Sequence, residues 1–267
     1  MHSRITIALT AAVFGAAAGK YITWGIRSLP FHERLLPTYF KCKTCEKGIN
    51  WGCYNAGTRQ DYVDIFVSAI AAFLSFYFYG FSGMAFLSWF FVMICHMITV
   101  IDVRYLIIPD VISLGGCAAG LIYSAFGTLS VRFFDFAPPF YLPLKDSIIG
   151  VLAGGGFLYL LAKIAAFLLR KEAMGLGDVK LLMAIGAWAS WKGVVVSVIT
   201  ASLFGSIFGL GRIIYRRIVH KEKYRMFNTA IAFGPFLALG FLLYFYLGYD
   251  YFLQILYAYQ NWIMSFN

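Results

Sequence analysis

The sequence is poor in charged residues: only 13% of its 267 residues are Asp, Glu, Lys or Arg, whereas 61% are apolar. A soluble domain carries about 25% charged residues, so this composition excludes an ordinary water-soluble globular protein. The chain has long apolar runs instead, and about 20 consecutive apolar residues suffice to cross the hydrocarbon core of a bilayer. The composition therefore predicts an all-α fold, a polytopic transmembrane helical bundle.

Eight apolar runs are candidate transmembrane helices, and the shortness of the sixth makes seven to nine spans compatible with the sequence. The runs cover residues 5–23, 62–79, 83–101, 111–128, 147–169, 178–191, 194–214 and 229–248. We expect a first transmembrane helix within 1–26, a cytoplasmic Cys-containing insertion at 27–61 and a membrane core at 62–267. The aromatic and proline-rich loop 131–146 and the tail 249–267 are predicted to lie in the membrane interface.

Acidic residues are scarce as well: 12 Asp and Glu stand against 22 Lys and Arg, which gives a net charge of +10. Such an excess can indicate nucleic-acid binding. Here, however, 16 basic residues fall in loops or at helix ends on one side of the predicted helices, four fall on the other side, and Lys20 and Lys163 lie within runs. Because cytoplasmic loops are enriched in Lys and Arg, this distribution predicts both termini outside and makes nucleic acid unnecessary. It also argues against a cleaved signal peptide, since cleavage would leave the basic segment 27–59 outside.

The sequence has no HExxH or GxSxG motif and only four histidines. These absences exclude the usual zinc metallopeptidases and serine hydrolases. His96, inside the third run, is predicted to be a hydrogen-bonded core histidine. Cys95 and Cys117, also within runs, are predicted to be small core residues.

Two aspartates stand at the ends of predicted spans. Asp102 lies at the end of the third run, in VIDVRYLIIPD, and Asp178 lies in GLGDVKLL, at the start of the sixth. The predicted topology brings both to the cytoplasmic edge of the bilayer. Charged groups within or beside spans usually face the bundle interior and mark functional sites, so both carboxylates are candidate functional groups.

Two carboxylates at one depth are what an aspartic protease requires. One activates water, while the other, protonated, polarises the scissile carbonyl. Like charges a few ångströms apart cannot both ionise easily, so the pair shares a proton and titrates as a unit. Gly175 and Gly177 carry no Cβ atom, so a substrate backbone could approach Asp178 closely.

Two other interpretations of these residues stay open at this point. Asp102 and Asp178 could merely terminate helices, with Asp178 capping the sixth run, and Asp110 is predicted to cap the fourth. Arg104 and Lys180 could tune the pair, although extension of both towards the interface is favoured. Alternatively, the aspartates could relay protons in a transporter, which predicts carboxylates near the membrane midplane.

Four blocks carry a resemblance to a known family: GLGDVKLL, VIDVRYLIIPD, AFGPFLALG (232–240) and GKYITWGIRSLP (19–30). Together they resemble the bacterial type IV prepilin peptidases, inner-membrane aspartic proteases of the GxGD class. The resemblance implies that Asp102 and Asp178 are the catalytic pair, that Asp110 is not catalytic, and that peptide hydrolysis needs no cofactor. A presenilin-like GxGD protease is the alternative within the proteases.

The same resemblance implies the substrates. They are prepilin or pseudopilin precursors, whose short basic leader is cleaved at a Gly before the apolar helix, on the cytoplasmic face. The cytoplasmic loops of this chain are themselves basic. Local acids are therefore the candidates for attracting the leader, namely Asp61, Asp64, Glu33 and Glu46.

The remaining cysteines lie in the predicted insertion. Cys42 and Cys45 form a C-x-x-C pair and Cys53 adds a third thiol. On the reducing side of a membrane such a set favours zinc over a disulfide, and His32 is the candidate fourth ligand. The resembled family usually carries two such pairs in a longer insertion, associated with methylation of the new N-terminus by S-adenosylmethionine. With one pair and an odd cysteine, this chain leaves the methyltransferase activity open.

Overall fold

The structure, a computed structural model, describes residues 2–29, 59–169, 175–219 and 232–264. Within these ranges it is helical, with no strand. The helices are α1 His2–Ser28, α2 Arg59–Tyr79, α3 Gly83–Tyr105, α4 Asp110–Phe134, α5 Leu144–Leu169, α6 Leu176–Val219 and α7 Gly234–Met264. All seven are long and apolar enough to cross a membrane. The predicted polytopic helical fold is confirmed, and the chain is a multi-pass membrane protein in contact with lipid.

The chain forms two compact units, Met1–Met97 and Ile98–Asn267. In the first unit, α1 packs against α2 through small residues. A Cβ atom on Gly15 would lie 2.8 Å from the carbonyl oxygen of Ser68, and one on Gly19 would lie 2.6 Å from Cα of Ile65. The Ser68 hydroxyl donates a hydrogen bond to the carbonyl of Gly15 over 2.6 Å. Glycines of this kind let two membrane helices approach to backbone contact.

In the second unit, α5 crosses the beginning of α6 at two glycines. A Cβ atom on Gly150 would lie 2.1 Å from the carbonyl oxygen of Gly186, and a Cβ atom on Gly186 would lie 2.1 Å from the carbonyl oxygen of Gly150. One turn further along α5, a Cβ atom on Gly154 would lie 2.3 Å from the carbonyl oxygen of Leu182. The backbones of α5 and α6 are therefore in direct contact, which no larger residue at these positions would allow.

Helix α6 is interrupted at Ser190, where the backbone is non-helical with φ 56°. We call residues 176–189 its first leg and residues 191–219 its second leg. The second leg runs antiparallel to α7: Gly193 lies against Tyr244, Gly240 lies against Ser197, and the rings of Phe208 and Phe236 are 5.9 Å apart.

The first leg starts at the end of the unit where α7 also starts. Ile108 establishes this, because Cβ atoms on Gly177 and Gly234 would each lie 3.2 Å from its side chain. The first leg therefore runs away from this end, and the second leg returns to it. The two legs correspond to the predicted sixth and seventh runs, 178–191 and 194–214.

Two connections differ from or extend the sequence prediction. Helix α4 continues to Phe134 and ends at Asp135, whose φ is 53°, so the prediction of a loop beginning at residue 131 is wrong. Residues 131–134 are Val, Arg, Phe and Phe, and the three apolar side chains extend the membrane helix. In α7 the non-helical Gly248, with φ 77°, separates a final helical segment, which starts where the predicted tail starts. Most of the predicted insertion, residues 30–58, lies outside the described residues.

The crossing of α5 and α6 generates a test of the packing. We expect Gly186→Val to lower the free energy of unfolding by about 3 kcal/mol, because its side chain would overlap the backbone of α5. The unfolding midpoint in mixed detergent and SDS would measure this. Gly156→Ala on α5 is the control, since a Cβ atom there meets no atom of the described residues within 4 Å. Equal stability of the two variants would contradict the crossing.

Candidate active site

Asp102 lies in the last turn of α3 and is 5% exposed. The helix ends just beyond it: Leu106 takes a left-handed conformation with φ 55°, and its N–H donates to the carbonyl of Asp102 over 2.8 Å. The side-chain Oδ2 of Asp102 accepts a hydrogen bond from the backbone N–H of Gly234, also over 2.8 Å. The end of α3 and the start of α7 are thus joined at this carboxylate.

Asp178 is the third residue of α6, and its backbone N–H donates to the carbonyl of Gly175 over 3.2 Å. Its side chain is half-buried and lies within electrostatic reach of Asp102. Among the residues that the structure describes, no hydrogen bond reaches the Asp178 carboxylate. Because α6 begins at Leu176, Asp178 lies inside the first turn and is not the N-cap residue.

The two predicted glycines beside Asp178 have different surroundings. Gly177 packs against Ile108, and a Cβ atom there would lie 3.2 Å from Cβ of Ile108. Gly175 is exposed, and among the described residues the atom nearest to a Cβ atom there would be Oδ2 of Asp178, at 3.8 Å. Gly177 is therefore part of the packing that holds the site together, whereas Gly175 is an exposed residue beside the carboxylate.

Asp110 and Lys180 form an ion pair beside the two aspartates. The Lys180 Nζ donates to both carboxylate oxygens of Asp110, over 2.7 and 2.8 Å. The N-cap of α4 is Pro109, and no side chain caps this helix. The prediction that Asp110 caps α4 is therefore wrong, and Lys180 reaches a carboxylate instead of extending alone to the interface. Arg104 is exposed, as its position at the end of α3 leads one to expect.

The first unit contains a second group of polar side chains, which sequence reasoning did not assemble. Asp64 is fully buried, and its Oδ1 accepts a hydrogen bond from Gln60 over 2.7 Å and lies 2.9 Å from Nε2 of His96. His96 is thus a hydrogen-bonded core histidine, as predicted. Asp61 is only 5% exposed. The idea that Asp61 and Asp64 attract a leader from the surface is wrong, because both carboxylates are buried in the bundle.

The cysteine predictions divide between described and undescribed residues. Cys95 and Cys117 are buried free thiols, which confirms them as core residues. The predicted zinc ligands His32, Cys42, Cys45 and Cys53 lie outside the described residues, as do Glu33 and Glu46. Within the described ranges, no three His, Cys, Asp or Glu side chains cluster as metal ligands.

The fold and the site define a class: a multi-pass helical membrane protein with two aspartates close together at one end of its second unit. Comparison with known sequences is more specific. Residues 89–210 match the model of the type IV leader peptidase family. The matched region contains both Asp102 and Asp178, so the resemblance to the prepilin peptidases is confirmed.

Three curated relatives are named prepilin leader peptidase/N-methyltransferase. The Aeromonas salmonicida protein is 36% identical over 143 residues, 54% of this chain and 43% of the relative. The Escherichia coli K12 protein is 32% identical over 154 residues, 56% of this chain and 59% of the relative. The Pseudomonas aeruginosa protein is 28% identical over 204 residues, 75% of this chain and 60% of the relative. The chain thus spans about half the length of these relatives. No solved structure matched it significantly.

The ion pair of Asp110 and Lys180 generates a prediction about stability. The two side chains are 59% and 31% exposed, and exposed pairs contribute about 0 to 1 kcal/mol. We expect a double-mutant cycle of Asp110→Asn and Lys180→Met, followed by unfolding in detergent, to give a coupling energy of at most about 1 kcal/mol. A coupling energy several times larger would mean that the pair holds α4 and α6 together.

Proposed function

We propose that this protein is a membrane aspartic endopeptidase that removes the basic leader from type IV prepilin-like precursors. The observation that carries the proposal is the juxtaposition of Asp102 and Asp178, contributed by two different helices at one end of the second unit. Nothing in the packing of the helices requires two acidic side chains to meet at this place. A shared need for both carboxylates in one reaction accounts for their closeness.

The geometry suits hydrolysis of a peptide bond. One carboxylate takes a proton from a water molecule as the water attacks the carbonyl carbon, and the other donates a proton to the carbonyl oxygen. Both need to reach the same peptide group. Gly175, open and next to Asp178, leaves room for an extended substrate backbone at this position. Peptide hydrolysis by this route needs no metal.

The substrate class and the location follow from the names of the relatives and from the position of the site. Asp102 lies in the last turn of α3, and Asp178 lies in the first turn of α6. A precursor whose apolar helix lies in the bilayer would present its leader junction at this depth. With the charge bias of the loops, we assign the site to the cytoplasmic side of a bacterial inner membrane.

A proton-coupled transporter is the competing function, and the position of the aspartates counts against it. That class places its ionisable residues near the midplane of the membrane. Asp102 and Asp178 both lie at the ends of their helices. A presenilin-like specificity is disfavoured by the relatives, whose names refer to prepilin.

Methylation of the mature N-terminus is part of the proposal because the relatives carry that activity in their names. S-adenosylmethionine would supply the methyl group. No described residue is assigned to it, and the thiols that could organise such a site, Cys42, Cys45 and Cys53, lie outside the described residues. The peptidase proposal does not depend on this second reaction.

The proposed pair predicts the effect of conservative substitutions. We expect Asp102→Asn and Asp178→Asn each to lower the cleavage rate at least about a hundredfold, since each removes one proton-transfer group. The assay is cleavage of a precursor with a basic leader and a Gly-Phe junction in liposomes, with mass spectrometry of the new N-terminus. Addition of S-adenosylmethionine shows in the same product whether a methyl group is added.

Asp110→Asn is the matched control for this experiment. Its carboxylate lies near the pair but bonds to Lys180 at an exposed position, so we expect activity within about fivefold of wild type. Cleavage that survives in Asp102→Asn or Asp178→Asn would remove that residue from the mechanism. Failure of folded wild type to cleave any of several precursors would favour the transporter, and a proton-flux assay would follow.

The cysteines of the predicted insertion give a separate prediction. If thiolates hold structural zinc, Cys42→Ser should lower both the zinc content of the purified protein and its thermal stability. Cys117→Ser, in the core of α4, is the control and should leave the metal content unchanged. Equal zinc in wild type and Cys42→Ser would exclude this site.

A further inference from the structure

Helix α7 begins at the candidate active site, and its first residue bonds to one of the two aspartates. The first N–H groups of a helix have no partner within the helix. In α7, the N–H of Gly234 is one of these groups, and it donates to Oδ2 of Asp102. Asp102 therefore receives a hydrogen bond from a free N–H group at the start of another helix.

The two aspartates differ in this respect. Hydrogen bonds from backbone N–H groups favour the ionised form of a carboxylate. Asp102 has such a bond, whereas none from the described residues reaches the carboxylate of Asp178. Burial works against a charge on either residue, and only Asp102 has a donor to compensate. Since two adjacent carboxylates share one proton, this difference decides where the proton resides.

We propose that Asp102 is the carboxylate that stays ionised, held in that form by the N–H of Gly234, and that Asp178 carries the shared proton. This assignment rests on the proposed peptidase function. Asp102 is then the general base and Asp178 the general acid. Gly234 is a positioning residue, because it acts on the reaction only through Asp102.

The assignment fixes the movement of each proton. Asp102 takes a proton from water as the water oxygen bonds to the carbonyl carbon, and the carbonyl oxygen takes the proton of Asp178. The tetrahedral intermediate then collapses. As the C–N bond breaks, the leaving nitrogen takes the proton held by Asp102, and Asp178 regains a proton from a hydroxyl of the intermediate. Both carboxyls return to their starting states.

Steric constraints explain why this position holds glycine. A Cβ atom on residue 234 would lie 2.7 Å from Oδ2 of Asp102 and 3.2 Å from Cδ1 of Ile108. Any larger residue would push the carboxylate away from the N–H group or displace Ile108, which also packs against Gly177. A side chain at residue 234 would therefore disturb the hydrogen bond to Asp102, or, through Ile108 and Gly177, the position of Asp178.

The direct test removes the N–H group and adds no atom to the side chain. Replacement of Gly234 by glycolic acid converts its amide to an ester, which has no N–H. We expect kcat for precursor cleavage to fall about tenfold to a hundredfold, the usual effect of losing a hydrogen bond to a charged group, with KM little changed. The acid limb of the pH–rate profile should move to higher pH, because an anion without its donor is protonated more easily.

The matched control is glycolic acid at Gly83, which is the first residue of α3 in the other unit. It should leave kcat and the pH profile as in wild type. An unchanged acid limb in the Gly234 ester would overturn the assignment. It would mean that the group whose ionisation is needed for activity does not depend on the Gly234 N–H, and so is not Asp102. The wild-type protein is assayed in parallel. If it cleaves the precursor, the proposed function holds and only the assignment of the two aspartates is under test.

A second measurement does not depend on the ester variant. The probe is a leader-junction peptide whose scissile bond is replaced by a hydroxyethylene group. Asp178→Asn keeps the proposed charge state, which is an anion at residue 102 beside a neutral group. Its affinity for the probe should therefore be within about tenfold of the wild-type affinity. Asp102→Asn should bind it at least about a hundredfold more weakly. Equal or reversed losses would overturn the assignment.

Discussion

In hydrocarbon, the polar groups of the backbone must find their partners within the protein, because no water is there to supply one. This constraint explains why the described chain is helical, and the cost of burying an unpaired charge explains why several of its acidic side chains lie against polar partners. Asp64 lies against Gln60 and His96, and Asp110 lies against Lys180. Asp102 meets the N–H that the start of α7 leaves free. The same need for partners that shapes the bundle thus also organises the candidate active site.

The close helix crossings serve this arrangement. Gly150 and Gly186 bring α5 and α6 into backbone contact. This fixes the first leg of α6, at whose start Asp178 lies. Ile108 then packs against both Gly177 and Gly234, so that α6 and α7 begin side by side. Small residues therefore do more than permit tight packing here: they set the distance between two carboxylates contributed by separate helices.

Much of this arrangement could be predicted from the sequence, because apolar runs and charge bias are local signals. The division of α6 at Ser190 matches two separate runs, and the pairing of Asp102 with Asp178 follows from their positions at the ends of such runs. The contact of Asp102 with Gly234 joins residues 132 positions apart, and no local pattern encodes it. In the sequence, the block AFGPFLALG indicated only a resemblance to a family, and it assigned no physical role to Gly234.

The errors have a common physical origin. Asp61 and Asp64 were expected to attract the basic leader because the cytoplasmic loops of the chain are themselves basic. A carboxylate can be buried near the start of a helix when a neighbouring helix supplies a donor, as α3 supplies His96 to Asp64. Asp110 was expected to cap α4, but the N-cap position is held by Pro109 and the Asp110 carboxylate accepts hydrogen bonds from Lys180 of α6. In both cases the partner comes from another helix, so the role of an acidic residue at a helix end depends on tertiary contacts. Asp102 and Asp178 follow the same rule: both stand at helix ends, and the carboxylate of Asp102 accepts a hydrogen bond from Gly234 of a third helix.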